Sequence, residues 1–289
     1  MGGSDVERRT SNIGRSTSNE NSLASILIAV APNGARKTQK DHPQLPLTPS
    51  ELARTAAACA EEGAGMVHLH VRDSKGKHTL SPEYYQPAIR EIEAAVGDKM
   101  LIQVTSEAAG VFKTVEQIDL MKQLAPHCLS CGLREFVKDR EWFERAEKFF
   151  SQLHQAGTLA QYILYSPQDV EWYEQLCEQG VLPGKNHFLL FVLGRYGEEG
   201  RPFYNLHDYL EPLKRNSRWM VCAFGGNEHS VMKQAVELGG HARVGFENNL
   251  RLPDGSLAKD NADLVALTVE MAHLAERSPG DKIFAESLF

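Results

Sequence analysis

The sequence is short of three things: long apolar runs, clustered positive charge, and cysteines at paired spacings. No apolar stretch approaches the roughly 20 residues of a membrane-spanning helix, so no membrane partner is expected. Ser4 to Ser22 contains almost no apolar residue, which excludes the apolar core of a secretory signal peptide. That segment is rich in Ser, Asn and Arg, and residues 1–22 are expected to form a disordered tail. The net charge is −7, with no basic cluster after the tail, which argues against nucleic acid as a partner. The cysteines (Cys59, Cys128, Cys131, Cys177 and Cys222) are odd in number and scattered through apolar settings. That is the pattern of reduced thiols in a cytoplasmic protein. Cys128 and Cys131 make a C-x-x-C, but residues three apart on a strand face opposite ways. Neither redox chemistry nor a metal knuckle is expected from them.

What the chain has is regular alternation. Short β-rich apolar runs recur at Ile26–Ala31, Met66–Val71, Leu101–Thr105, Cys128–Cys131, Leu159–Tyr165, Phe188–Leu193, Trp219–Ala223 and Ala242–Phe246. Helical signals lie between them. Thr48-Pro49-Ser50-Glu51 is a capping box with proline at the first helical position. Ser81-Pro82-Glu83 and Thr114-Val115-Glu116-Gln117 open further helices, and Ala258–Glu276 is the last long amphipathic run. Alternation of this kind implies a parallel sheet with helices outside it. Eight units in 289 residues fit an α/β fold of the (β/α)8 TIM-barrel type. A doubly wound sheet is the alternative, but Pro32-Asn33-Gly34-Ala35 is no dinucleotide-binding turn. With no linker in sight, residues 23–289 are read as one catalytic domain.

The chemistry concentrates in Met66-Val67-His68-Leu69-His70-Val71-Arg72-Asp73. In a strand, residues two apart share a face, so His68 and His70 project together while Val67, Leu69 and Val71 pack behind. Two adjacent imidazoles suit a transition metal, zinc above all. A catalytic zinc commonly takes three protein ligands and keeps one position open. In a closed barrel strand eight lies near strand two, so Glu247, at the end of the last strand and four residues after Arg243 on the same strand face, is the best third ligand; His42 and His78 fall in loops. Barrel enzymes place their sites at the C-terminal strand ends. That directs attention to Arg36, to Thr105-Ser106-Glu107, to Ser130, and to Arg243 through Asn249. Two neutral histidines and one glutamate leave bound zinc a net positive charge. Such an ion polarises a ketone and favours carbon–carbon chemistry beside a carbonyl.

Several stretches together resemble the β-keto acid cleavage enzymes. They are Pro32-Asn33-Gly34, His42-Pro43, Pro46-Leu47-Thr48-Pro49, Gly63 through Asp73, Phe191-Val192-Leu193-Gly194 and Gly239 through Asn249. The resemblance implies a (β/α)8 barrel, zinc held by His68, His70 and Glu247, and a homo-oligomer, commonly a tetramer. It implies condensation of a β-keto acid with acetyl-CoA, giving acetoacetate and a new CoA thioester. Arg243 matches the family's catalytic arginine, and Thr105 falls where a small hydroxyl residue binds the substrate carboxylate. Ser106, Ser130 and Arg36 complete the expected substrate contacts.

Three positions depart from the family pattern. Asn248 stands where the family has an aspartate that assists the arginine, and an amide takes no proton. Thr105-Ser106-Glu107 replaces a glycine-rich turn and adds a carboxylate, which makes Glu107 the candidate for the missing proton transfer. Arg36 stands where an acidic residue recognises an amino group in the aminohexanoate-cleaving member. The alternatives are a zinc-dependent hydrolase or aldolase-type lyase, with Glu107 or Asp73 as base, and a barrel that binds metal or ligand without catalysis.

Overall fold

The computed structural model describes residues 24–194 and 204–289; the expected tail of residues 1–22 lies outside them. Eight strands form a closed barrel: β1 (Ile28–Val30), β2 (Met66–Leu69), β3 (Leu101–Thr105), β4 (Cys128–Gly132), β5 (Leu159–Leu164), β6 (Phe188–Leu193), β7 (Arg218–Ala223) and β8 (His241–Val244). They pair in sequence order, every neighbour is parallel, and β8 closes onto β1. Each strand leads to a helix on the outside: α1 (Pro49–Glu61), α2 (Pro82–Val96), α3 (Thr114–Leu124), α4 (Phe143–Gln155), α5 (Pro167–Glu178), α6 (Leu206–Leu210), α7 (Glu228–Glu237) and α8 (Asn261–Leu274). The chain is therefore a (β/α)8 TIM barrel, as the alternation predicts. The Thr48 capping box forms as read, with Glu51 Nα donating to Thr48 Oγ1 and Thr48 Nα to Glu51 Oε2, an arrangement that contributes about 1 kcal/mol.

Side-chain parity along the strands separates two cores. Leu189, Phe191 and Leu193 of β6 pack outward against helices, whereas Phe188, Leu190 and Val192 fill the barrel. Leu27, Met66, Leu101 and Met220 join them inside. A further helix, α9 (Lys282–Glu286), and the residues after it bring Ala285 and Leu288 onto this inner cluster and close the N-terminal mouth. Toward the C-terminal mouth the same parity delivers polar groups: His68, Gln103, Thr105, Ser130, Gln161 and Arg243, all buried. The inner core is thus apolar below and polar above. Cys128 belongs to the inner cluster and Cys131 to the outer one, as their spacing predicts.

Two site residues lie beyond the strands expected to carry them. β2 ends at Leu69, and His70 separates it from a hairpin of Val71–Arg72 with His78–Thr79. The Asp73 carboxylate, accepting from Lys75 Nα and Lys77 Nα, shapes that turn. Likewise β8 ends at Val244, and Glu247 sits in a tight turn behind Gly245. Gly245 has φ +126°, and a Cβ there would stand 2.6 Å from the Ala31 carbonyl oxygen. Only glycine lets the chain pass so close to β1 and then fold Glu247 inward. The expectation that Arg243 and Glu247 share a strand is corrected accordingly: a turn brings them together.

Candidate metal centre and active site

His68 and His70 point their Nε2 atoms at one another across 3.2 Å. Oε2 of Glu247 lies 3.8 Å from the first and 3.4 Å from the second. Two ligands about 2.0–2.1 Å from one tetrahedral zinc stand about 3.3 Å apart, so the three atoms have the spacing of a shared ion. Among the described residues this is the one His/Cys/Asp/Glu group whose donor atoms converge in this way. Protonation states agree with a ligand role. Burial, with Arg243 next, pushes the His68 ring down to about 3, so it is neutral. Burial alone would raise the Glu247 carboxyl; Arg243 and His70 outweigh it and hold it well below the usual carboxylate range. Two imidazoles and a carboxylate are a zinc-type donor set.

The surroundings position each ligand. Gln103 Oε1 lies 2.8 Å from His68 Nδ1. Arg243 Nη2 donates to Glu247 Oε1 at 3.0 Å and to Cys222 Sγ at 3.3 Å, while its buried Nε has no hydrogen-bond partner among the described residues. Gly34, at φ +62°, leaves the space that the Glu247 side chain fills. Lys37 Nζ donates to the carbonyl oxygens of Phe246 and Glu247; its burial lowers it to about 8. The Arg72 guanidinium ties down the β1 loop by donating to the carbonyls of Gly34, Ala35 and Lys37.

Glu107 stands beside the triad. Its Oε2 is 3.8 Å from His70 Nε2, and its side chain is partly open to solvent. His78 is not the loop histidine its sequence context suggested. It is buried, its ring lies 5.3 Å from that of His70, and its Nε2 donates to the Glu107 carbonyl. Arg36 is exposed on a small cleft that Glu107, Phe224 and Glu247 also line.

The remaining expected contacts divide. Thr105 and Ser130 face the barrel interior, and Ser130 Oγ has no partner among the described residues. Thr105 Oγ1 accepts from Glu107 Nα at 3.1 Å. Ser106 commits its hydroxyl proton to the Ser130 carbonyl at 2.6 Å, so as a donor to substrate it is taken. Asn248 is buried beside Glu247, and neither side-chain polar atom has a hydrogen-bond partner among the described residues. His42 lies apart, bonded to the Ala258 carbonyl.

Three participants escaped sequence reading, Gln103, Gln161 and Glu228, and His78 was read only as a loop residue. Glu228 opens α7 and is fully buried. Burial pushes its carboxyl up to about 8 against the hydrogen bond from Asn249 Nδ2 and the charges of Lys37 and Arg243. The period-2 parity of Gln103 with His68 across β3 was the available signal for the first of these.

Comparison with known proteins gives a consistent picture. A family model described as beta-keto acid cleavage enzyme matches residues 25–283. The 3-keto-5-aminohexanoate cleavage enzyme of Fusobacterium nucleatum subsp. nucleatum is 29% identical over 257 residues, covering 86% of this chain and 92% of that protein. The 3-oxoadipate:acetyl-CoA acetyltransferase of Cupriavidus necator is 25% identical over 252 residues, 83% of this chain and 86% of that protein. Among solved structures, apo ObcA superposes with a TM-score of 0.66 at 14% identity, a likeness of fold. The match covers 86% of this chain and 65% of the longer ObcA chain. Among the described residues no helix is long and apolar enough to cross a membrane.

Proposed function

The chain belongs to the β-keto acid cleavage enzyme family, and from that premise we propose that it condenses a β-keto acid with acetyl-CoA, yielding acetoacetate and a new acyl-CoA. The observation that supports this most directly is the convergence of His68 Nε2, His70 Nε2 and Glu247 Oε2 at the C-terminal mouth of the barrel, with the Glu107 carboxylate alongside. His68, His70 and Glu247 would hold a zinc ion. Bound there, it supplies Lewis-acid polarisation of the ketone and carboxylate oxygens of a β-keto acid.

The protein's own groups supply the rest. The reaction breaks the bond between the C2 methylene and the ketone carbon and joins that methylene to the acetyl carbonyl, while the CoA sulfur leaves the acetyl carbon and bonds to the former ketone carbon. A C2 proton must leave and later return. Asn248 has no protonatable group, so Glu107, 3.8 Å from His70 Nε2 and partly open to solvent, takes and returns that proton. Arg243 contributes a fixed, buried positive charge, and its Nε, without a hydrogen-bond partner among the described residues, is a donor for a substrate oxygen. Thr105 and Ser130 present hydroxyls to the substrate carboxylate from the barrel interior.

The test is a product assay. Purified protein, acetyl-CoA and a panel of β-keto acids should give acetoacetate and the matching acyl-CoA in equal amounts. Product formed without consumption of acetyl-CoA would replace this reading with hydrolysis or simple lysis. A zinc-loaded protein inert on the whole panel would leave a binding barrel.

A further inference from the structure

Beneath the metal triad, two fully buried glutamines cross the inside of the barrel. Gln103 is the direct β3 neighbour of His68 on β2, and its Oε1 lies 2.8 Å from His68 Nδ1. Gln103 Nε2 donates to Gln161 Oε1 at 3.0 Å, and Gln161 Nε2 reaches Met220 Sδ at 3.9 Å. The order of this chain is fixed by its far end. A thioether accepts weakly and never donates, so Gln161 must turn its amide nitrogen to Met220 and its oxygen to Gln103. Gln103 must then turn its nitrogen to Gln161 and its oxygen to the histidine. Reversal would set an amide oxygen against the Met220 sulfur, two acceptors in a buried site.

The oxygen at His68 has one consequence for the ring. Nδ1 must carry the proton, and Nε2 is left with its lone pair directed at His70 and Glu247. His70 has no such support: its Nδ1 is buried with no hydrogen-bond partner among the described residues. The two histidines are therefore unequal.

We propose that Gln103, oriented by Gln161 and Met220, is a positioning residue that presets the His68 tautomer and makes His68 the anchoring ligand of the centre. This rests on the metal reading of His68, His70 and Glu247. It adds that the barrel floor stores part of the metal affinity in residues that never touch the ion. An amide oxygen on the remote ring nitrogen fixes ring orientation and raises ligand basicity, an effect commonly worth roughly 10–100-fold in affinity.

The experiment uses the full chain and two readouts. Histidine 15N NMR of the metal-free protein reports the tautomer of each ring, and chelator competition reports the affinity for zinc alone. In the wild-type chain His68 should be protonated at Nδ1. Gln103→Met fills the same space with only a weak thioether acceptor; it should mix the His68 tautomers and weaken zinc binding roughly 10–100-fold. Gln161→Met, which removes the orienting partner but leaves Gln103 in place, should shift both readouts in the same direction by less. Gln103→Glu restores an acceptor and should recover the Nδ1–H tautomer. An Nε2–H tautomer in the wild-type chain overturns the proposal, as does unchanged zinc affinity in Gln103→Met. If the wild-type chain binds no zinc, the metal reading fails alone, and the tautomer of the metal-free protein still decides the role of Gln103.

Discussion

Arg243 Nη2 and Glu247 Oε1 meet at 3.0 Å, with the arginine side chain 3% exposed and the glutamate 12%. Glu247 thus divides its carboxylate, one oxygen on the guanidinium and the other facing His70 Nε2 at 3.4 Å. The arginine holds the Glu247 carboxyl in its ionised form, with one oxygen on the guanidinium and the other turned inward. A lysine keeps the charge but is shorter and lacks the planar fork that sets Nη2 on Cys222 and Glu247 while Nε points elsewhere. Arg243→Lys is expected to lower kcat by about two to three orders of magnitude while Tm falls little. Arg243→Met strands a buried carboxylate and should cost about 3–5 kcal/mol in chemical denaturation. A fully active Arg243→Lys enzyme would show the arginine to be structural only.

Gly34 gives a second, purely steric handle. Its φ is +62°, and a Cβ there would stand 2.5 Å from Glu247 Cγ. Gly34→Ala is expected to push the glutamate off the triad and lower zinc affinity at least tenfold, with about 1–2 kcal/mol lost from stability. Metal titration with denaturation in parallel checks both. Wild-type zinc affinity in this variant would mean that Glu247 is dispensable as a ligand.

The barrel was legible because each β-run carries its own period and each helix its own start signal, as at Thr48 and Ser81. The His68-x-His70 pair was legible for the same local reason. What was hidden depends on pairing between distant segments. Gln103 faces His68 only because β2 and β3 align in one register; period-2 parity puts it on the face of Thr105 but does not say which residue of β2 it meets. Glu228 reads as an ordinary acidic residue at a helix start, yet the turn after β8 buries it completely. His78 lies five residues past Asp73 in a polar stretch, and only the hairpin register with Arg72 carries it back beside His70. The place of Glu247 was reached by the right argument about strand order, although a turn and not the strand delivers it.

Glu228 makes stability depend on pH. Its carboxyl stands at about 8 in the folded protein against an ordinary 4.5. Between those values the native state binds more protons than the unfolded chain, so stability falls as pH rises through that window. At about 1.4 kcal/mol per unit, the loss from this group amounts to a few kcal/mol. Glu228→Gln keeps an acceptor for Asn249 and removes the titration. Its denaturation midpoint should exceed that of the wild type above pH 8, and the gap should close toward pH 5. Parallel pH profiles for the two proteins would show that the carboxyl is already ionised in the fold.

Glu107 is expected to carry the proton transfer. Glu107→Gln preserves size and the backbone bond from His78, and it removes only the basic site. Turnover should fall by about 10²–10⁴-fold, the usual weight of a general base, with little change in KM or zinc content. Exchange of C2 hydrogen of the β-keto acid with deuterated solvent, measured without acetyl-CoA, should drop in parallel. Unchanged exchange and turnover would exclude Glu107 as the base.

Arg36 bears on which β-keto acid is used. It is exposed on the cleft that Glu107 and Glu247 also line. A guanidinium at the rim repels a terminal ammonium and pairs with a terminal carboxylate through two parallel hydrogen bonds. Because the group is exposed, the preference should be modest and should shrink as salt is added. A β-keto dicarboxylate is therefore expected to exceed an amino-substituted β-keto acid in kcat/KM by about tenfold at low ionic strength. Arg36→Glu should reverse the order. Preference for the amino-substituted acid by the wild type, unaltered in Arg36→Glu, would mean that the guanidinium does not meet the substrate.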